Sequence, residues 1–486
     1  MITFTLSLVA LILGYIFYGR YVEHVFGPDD RVTPAVAKAD GLDYMVLPNW
    51  KIFMIQFLNI AGTGPIFGAI MGAKFGPAAY VWIVFGCIFA GAVHDYMSGM
   101  LSMRHDGAGL PEMIGHYLGK TTKNVMLVFT ILLLIMVGAV FVYSPAEILH
   151  SFGGDTLMWI IVIFCYYFIA TMMPIDKIIG KIYPLFAFSL LFMAGALMTW
   201  LFLHWPTLPE LWTHCYNMGA ATEPDKWTDN IFPALFITIA CGAISGYHAT
   251  QSPLMARCVK GERMGRPIFY GAMITEGIVA LIWATVSAWF FYGNPAPGYQ
   301  LIQSATAGFH TSAPAVVNIV CNEWLGVAGA ILAMLGVVAA PITSGDTALR
   351  SARLIIAEWL KQDQRPIRKR LIICIPLFAC CIALLVWQID NPDGFNTIWQ
   401  YFGWCNQALS VFTLWAITVY LVRQKKAFWI TLIPALFMTC VCTTYCFVSK
   451  QMLHLGDMGY ALGIVCLVVA CAWFVVWYRK ETSKQK

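Results

Sequence analysis

Long apolar runs alternate with short polar connections along almost the whole chain. They predict helices over about 3–19, 51–74, 77–102, 123–143, 156–173, 184–204, 231–258, 267–292, 323–348, 370–388, 396–422, 427–448 and 457–478, thirteen in number. Most approach the roughly 20 residues that cross about 30 Å of hydrocarbon, so the expected fold is an all-α polytopic membrane protein. Two further stretches, 109–119 (GLPEMIGHYLG) and 350–361 (RSARLIIAEWLK), are short and amphipathic. They predict helices that do not span, the second either separate or a cytoplasmic extension of the run before it. The final ETSKQK is expected to be a short disordered tail.

Two of these runs contain the residues least suited to a helix. Residues 58–72 read LNIAGTGPIFGAIMG, with Gly62, Gly64, Pro65 and Gly68 in mid-span. Residues 240–253 read ACGAISGYHATQSP, with Gly242, Gly246 and Pro253. Glycine and proline loosen or break helices. In hydrocarbon every backbone N–H and C=O needs a partner, so irregular backbone survives only inside protein or along a cavity. Each broken run opens a group of five spans, 51–204 and 231–422, and an odd number makes the groups face opposite ways. The pattern predicts an inverted repeat with a substrate site between two discontinuous helices. A first helix and cytoplasmic loop (1–50) precede the pair, and two helices with the tail (423–486) follow it. The plainer alternative is two kinked helices packed through glycine.

Composition agrees with this solvent. The chain is 59% hydrophobic and 11% charged, with a mean hydropathy of +0.71, where soluble domains carry roughly 25% charged residues. The net charge of +5 lies in short connections and reads as a topology signal rather than a nucleic-acid surface. Arg257, Lys260, Arg263 and Arg266, the basic cluster from Arg350 to Arg370, Arg423 with Lys425 and Lys426, and Arg479 with Lys480 all fall on one side. That side is read as the cytoplasm, which puts the N-terminus outside and the C-terminus inside. The connection 293–322 has no Lys or Arg, and 205–230 and 389–395 are acidic. The chain start lacks a basic region and a small-residue cleavage site, so it reads as a retained helix rather than a signal peptide. The fifteen cysteines lie mostly in apolar runs and read as small hydrophobes. Cys440, Cys442 and Cys446 lack the spacing of a zinc site, and no CxxC pair is present.

Polar groups inside spans are costly and mark candidate function. Asp95 follows His94 and is read either as a coupling-cation carrier or as a partner of Arg104. Glu276, alone amid GAMITEGIVALIWA, is read as a proton carrier or as a protonated acid bonded to a neighbouring helix. His248 lies in the second break, near Ser245, Thr250 and Gln251, and can bind a carboxylate or titrate. Thr343, Asp346 and Thr347 share a helical face, with an Asp346–Arg350 pair as the structural alternative. Asn406 and Gln407 are read chiefly as bonding another helix.

The stretches GRYVEHVF, TPAVAKADGLDYM, IAGTGPIFGAIMG, FAGAVHDYM, CGAISGYHA and FGWCNQAL, in this order across most of residues 15–410, resemble the carbon starvation protein A (CstA) family. The resemblance implies a LeuT-like fold of the amino acid–polyamine–cation superfamily, with five plus five inverted repeats. It implies secondary transport of peptides or pyruvate, driven by protons. It also implies that Thr343 and Ser344, on the eighth core helix, face a cation site, for Na⁺ or, if Asp346 titrates, for a proton. This chain is shorter than the long members. It carries Ile55 and Gln56 where they carry a His pair.

The expected function is therefore a cation-coupled symporter of the bacterial inner membrane, taking up a small carboxylate or short peptide under carbon starvation. Asn59, Ala61, Gly62, Thr63 and Gly64 would hold the substrate with Gly242, Ser245, Gly246, His248 and Gln251. Thr343, Ser344, Asp346, Glu276 and Asp95 would couple the cation. No cofactor, nucleic-acid partner or enzyme class is expected; the partners are the substrate, the cation and the lipid bilayer. The alternatives are a Na⁺-coupled symporter of other specificity, a channel, and an intramembrane aspartyl protease using Asp95 and Asp346. The protease reading is weakened by Thr343 where its GxGD signature has glycine.

Overall fold

A computed structural model describes residues 1–150, 153–173, 179–215, 230–293, 313–391 and 394–484. Every apolar run coincides with helix. In chain order they are α1 (Ile2–Phe26), the pair α2 (Asn49–Ile60) and α3 (Gly64–Phe75), and α4 (Ala78–Arg104). The amphipathic α5 (Leu110–Leu118), then α6 (Lys120–His150), α7 (Thr156–Met172) and α8 (Ile179–His204) follow. The second broken run is α9 (231–238) and α10 (His248–Ala256). After it come α11 (Glu262–Tyr292), α12 (Ala313–Leu360), α13 (Ile367–Asp390), α14 (Gly394–Arg423), α15 (Trp429–Val448) and α16 (Asp457–Lys484).

Ten helices are long and apolar enough to cross a membrane among the described residues, and the bent pair α2–α3 makes an eleventh. The α7 helix is shorter, and the pieces α9 and α10 reach spanning length only together. Large apolar side chains such as Leu6, Phe17, Leu185, Phe188, Val468 and Val476 are more than half exposed. On a polytopic helical protein that belt faces lipid, so the molecule is a multi-pass membrane protein.

Several boundaries differ from the sequence reading, and one open alternative is decided. The α12 helix starts at Ala313, ahead of the expected 323, and changes direction at Gly326, whose φ of +63° suits glycine. Its far end runs through 350–360 without a break, so the second amphipathic stretch extends the span. The expected tail is helical to Lys484, and Glu481 accepts from Arg423 at 2.9 Å. Residues 216–229 and 294–312, most of two of the three connections read as non-cytoplasmic, lie outside the described residues.

Glycine sets the central packing. Gly64, Gly68 and Gly72 line one face of α3 at four-residue spacing. A Cβ on Gly64 would sit 2.4 Å from Cys241 Sγ, one on Gly68 2.8 Å from the Thr238 carbonyl, and one on Gly72 2.4 Å from Ile239 Cδ1. The first broken run therefore lies directly against the second.

Candidate functional site

The first break begins where Ala61 leaves helical geometry, at φ −80° and ψ 50°. The axis turns by 51° into α3. The amide of Gly62 folds back onto the Ile60 carbonyl at 3.0 Å. The Leu58 carbonyl accepts from Ser344 Oγ of α12 at 3.0 Å. A Cβ on Gly62 would lie 2.8 Å from the Phe141 ring and 3.2 Å from Ser344 Oγ, so Gly62 keeps α6 and α12 close to the break.

Along the same run, Gln56, Asn59 and Thr63 follow spacings of three and four and are completely buried. None of their side-chain polar atoms has a hydrogen-bond partner among the described residues. Most buried polar groups in folded proteins are paired, so three adjacent exceptions require an explanation.

The second break covers residues 239–247. Side chains from other helices bond backbone groups in it and in the turn before it, as burial in a membrane demands. Trp82 Nε1 donates to the Ile239 carbonyl at 2.7 Å, and Gln407 Nε2 to the Phe236 carbonyl at 2.8 Å. Asn406 Oδ1 accepts from Ser245 Oγ at 3.0 Å and from the Tyr247 amide at 2.7 Å. The Asn406 carbonyl accepts from the Gly246 amide at 3.1 Å. Asn406 and Gln407 thus bond another helical run, as expected, and Ser245 and Gly246 are engaged by Asn406. A Cβ on Gly242 would lie 2.3 Å from Ala280 Cβ, so that residue seats the break on α11. Tyr247 ties the second break to α12 and α6: its hydroxyl donates to the Ser344 carbonyl at 2.8 Å, and its ring lies 6.3 Å from that of Phe141.

Asp95, His248 and Glu276, separate in sequence, come together. Asp95 Oδ1 lies 2.8 Å from His94 Nδ1, and Oδ2 lies 2.8 Å from His248 Nδ1. His248 Nε2 lies 3.5 Å from Glu276 Oε2. All four side chains are completely buried. The anticipated Asp95–Arg104 pair does not form. Arg104 reaches Glu262 at 2.9 Å and the Gly27 carbonyl at 2.8 Å, toward the end of α4.

Asp346 stands apart from this chain. Its Oδ2 accepts from Tyr183 of α8 at 2.6 Å, while Oδ1 has no partner among the described residues. Arg350, the expected partner, instead takes the Ala170 and Met173 carbonyls and, with Arg353, Asp43. Each aspartate is held by different groups, so Asp95 and Asp346 do not form the proton-sharing pair that the protease reading needs. Thr343 Oγ1 donates to Ala339 and Ala340 of its own helix. Of the two hydroxyls expected at a cation site, Ser344 is the one bonded to the first break. Gln251 Nε2 bonds Thr250 and Ser351, and its Oε1 is unpartnered.

Sequence reading had not placed Gln56, Cys241, Tyr183 or Tyr247 in the site. Gln56 carried a signal, its three- and seven-residue spacing to Asn59 and Thr63. Tyr183 carried none, because its partner lies 163 positions away.

The family description for carbon starvation protein CstA matches residues 1–150, 142–327 and 297–446. An uncharacterized membrane protein of Haemophilus influenzae is 44% identical over 63% of this chain and 94% of its own. The peptide transporter CstA of Escherichia coli is 25% identical over 90% of this chain and 79% of its own. The pyruvate/proton symporter BtsT of the same organism is 25% identical over 90% and 80%. Among solved structures, a mutant manganese transporter of Eremococcus coleocola superposes with a TM-score of 0.56, at 12% identity, over 91% of this chain and 99% of its own. That likeness is one of fold. With a family match over nearly the whole chain and transporters among its relatives, this membrane protein is a transporter and belongs to the carbon starvation protein CstA family.

Proposed function

We propose that the chain is a proton-coupled symporter of the bacterial inner membrane that takes up a small carboxylate such as pyruvate, or a short peptide. The observation that carries this reading is the unpartnered polar face of Gln56, Asn59 and Thr63 at the first break. Leaving a buried donor or acceptor unpaired costs about 1–3 kcal/mol each. A ligand that supplies the missing bonds recovers that cost on binding. The same break ends at the N-terminus of α3, where the helix dipole favours an anion, although Pro65 has no N–H and the Ile66 and Phe67 amides already donate to the Thr63 carbonyl. A carboxylate fits both features without a buried basic side chain. His248 and Gln251 would border the substrate from the second break.

The coupling proton is assigned to Asp346, which has one bonded and one unpartnered oxygen. Around it are Tyr183 of α8, Tyr166 and Tyr167 of α7, Tyr247 of the second break, and Arg350 and Arg353 of its own helix. The name of the relative BtsT, a pyruvate/proton symporter, supports a proton as the coupling ion. A sodium-coupled reading is favoured by one contact: Ser344 Oγ and the Leu58 carbonyl are two oxygens of the kind that ligate Na⁺. In this proposal 51–204 and 231–422 act as oppositely oriented repeats that rock around the two breaks. The basic connections face the cytoplasm, with the N-terminus outside.

Uptake by proteoliposomes tests the reading. Labelled pyruvate and labelled dipeptides are offered under a pH gradient, a sodium gradient or neither. Accumulation driven by the pH gradient, with trans-stimulation by unlabelled substrate, is expected. Sodium-driven accumulation would replace the proton assignment, and equal permeation without trans-stimulation would point to a channel.

A further inference from the structure

We infer that Cys241, His248 and Glu276 form a binding site for a thiophilic transition-metal cation of the zinc type. One ligand atom from each, the Cys241 sulfur, an imidazole nitrogen and a carboxylate oxygen, lies within 4.8 Å of the other two. The three residues come from separate elements: the second break, the start of α10 and the middle of α11. All are buried.

The Glu276 and His248 atoms that face the site are uncommitted. Both carboxylate oxygens of Glu276 and Nε2 of His248 lack a hydrogen-bond partner among the described residues. The opposite ring nitrogen, Nδ1, is held by Asp95 at 2.8 Å, and Asp95 is held in turn by His94. A carboxylate on the far nitrogen of a metal-binding histidine fixes the ring and its tautomer, leaving the near nitrogen as a lone-pair donor. Asp95 and His94 thus supply the outer shell of such a site. Cys241 Sγ donates to Ser245 Oγ at 3.7 Å and accepts from Asn406 Nδ2 at 3.8 Å; the first bond is given up when the thiol loses its proton, and the second suits a thiolate.

Charge and donor type define the ion. A thiolate and a carboxylate neutralise one divalent cation, so the ion and its direct ligands together carry no net charge in a region where charge is expensive. A thiol with an imidazole suits zinc or cobalt(II), whereas manganese prefers oxygen-rich sets. Three protein ligands leave a fourth position for water. Binding releases the Cys241 thiol proton, together with the Glu276 proton wherever that acid is neutral, to solvent, so affinity rises with pH. Gly64 packs against Cys241, which places the ion between the two breaks and lets it tie the second break to α11.

Cobalt(II) added to the purified full-length protein tests this without reference to transport. A stoichiometric thiolate-to-cobalt charge-transfer band in the near ultraviolet is expected, together with four-coordinate visible bands and displacement by Zn²⁺. Cys241→Ser should abolish the charge-transfer band. Asp95→Asn should weaken Co²⁺ binding by about 10–100-fold. Zn²⁺ should raise the midpoint of thermal unfolding of the unmodified protein and leave that of Cys241→Ser unchanged. No charge-transfer band in the unmodified protein, or an undiminished one in a folded Cys241→Ser variant, would overturn the site.

Discussion

The hydroxyl of Ser344 donates to the carbonyl of Leu58 across 3.0 Å. It supplies from α12 a partner for a carbonyl in the last turn of α2, where the helix stops. Thr343, one residue earlier, spends its hydroxyl on its own helix. Ser344→Ala should therefore destabilise the protein by about 1–3 kcal/mol, the cost of leaving a buried carbonyl unpaired. Thr343→Ala should cost less. Denaturation in detergent measures both, and equal losses would remove the special role of Ser344.

Gln56 and Asn59 make no side-chain hydrogen bond among the described residues. Removing either amide relieves unpaired polar atoms but leaves a cavity, and because these effects oppose each other the thermal midpoint should change little. If the amides bind substrate, Asn59→Ala or Gln56→Ala should raise the KM for uptake about tenfold, the equivalent of one hydrogen bond near 1.4 kcal/mol. An unaltered KM with a lowered midpoint would make them structural.

The approach of Gly64 to Cys241 leaves no room for a methyl group. Its Cβ would stand 2.4 Å from the sulfur and 2.5 Å from Cys241 Cβ. Gly64→Ala should cost about 1–3 kcal/mol through overpacking. A second change, Cys241→Gly, should recover most of that loss. The comparison needs only unfolding curves of the two variants.

Asp43 lies in the connection between α1 and α2 and meets Arg350 at 3.3 Å and Arg353 at 3.2 Å. Burial by itself favours the neutral acid, but Arg353, Arg350 and Arg257 together hold the carboxyl below its usual range. A depressed folded value stabilises the fold fully above about pH 4, the ordinary aspartate value, and less as pH falls below it. Acidification through that window should lower the thermal midpoint. Asp43→Asn should cost about 3–5 kcal/mol at neutral pH by stranding buried arginines, and should flatten this part of the acid profile.

Asp346→Asn keeps the acceptor for Tyr183 but removes the ionisable group. Accumulation driven by a pH gradient should be lost while counterflow of substrate persists. Gradient-driven uptake at the unmodified level would exclude Asp346 as the proton carrier.

The solvent, the helices and the two interruptions were legible in the chain because they depend on local composition. Apolar runs must be helical in hydrocarbon, and glycine with proline disrupts a helix wherever it occurs. The family was legible for the same reason, since its motifs are contiguous. Side-chain partnership was not. Sequence proximity offers Arg104 as one partner for Asp95 and Arg350 as one for Asp346, the nearest opposite charges along the chain. The fold gives them His248 and Tyr183 instead, on helices 153 and 163 positions away. Helical spacing within one span can put two residues on a common face, but only packing of separate spans decides which group each one meets. The sequence by itself thus determined a broken-helix membrane protein with polar residues at the breaks. The tertiary structure decided that Cys241, His248 and Glu276 converge, and that Gln56, Asn59 and Thr63 are left without partners, because both outcomes depend on which helices glycine allows to touch.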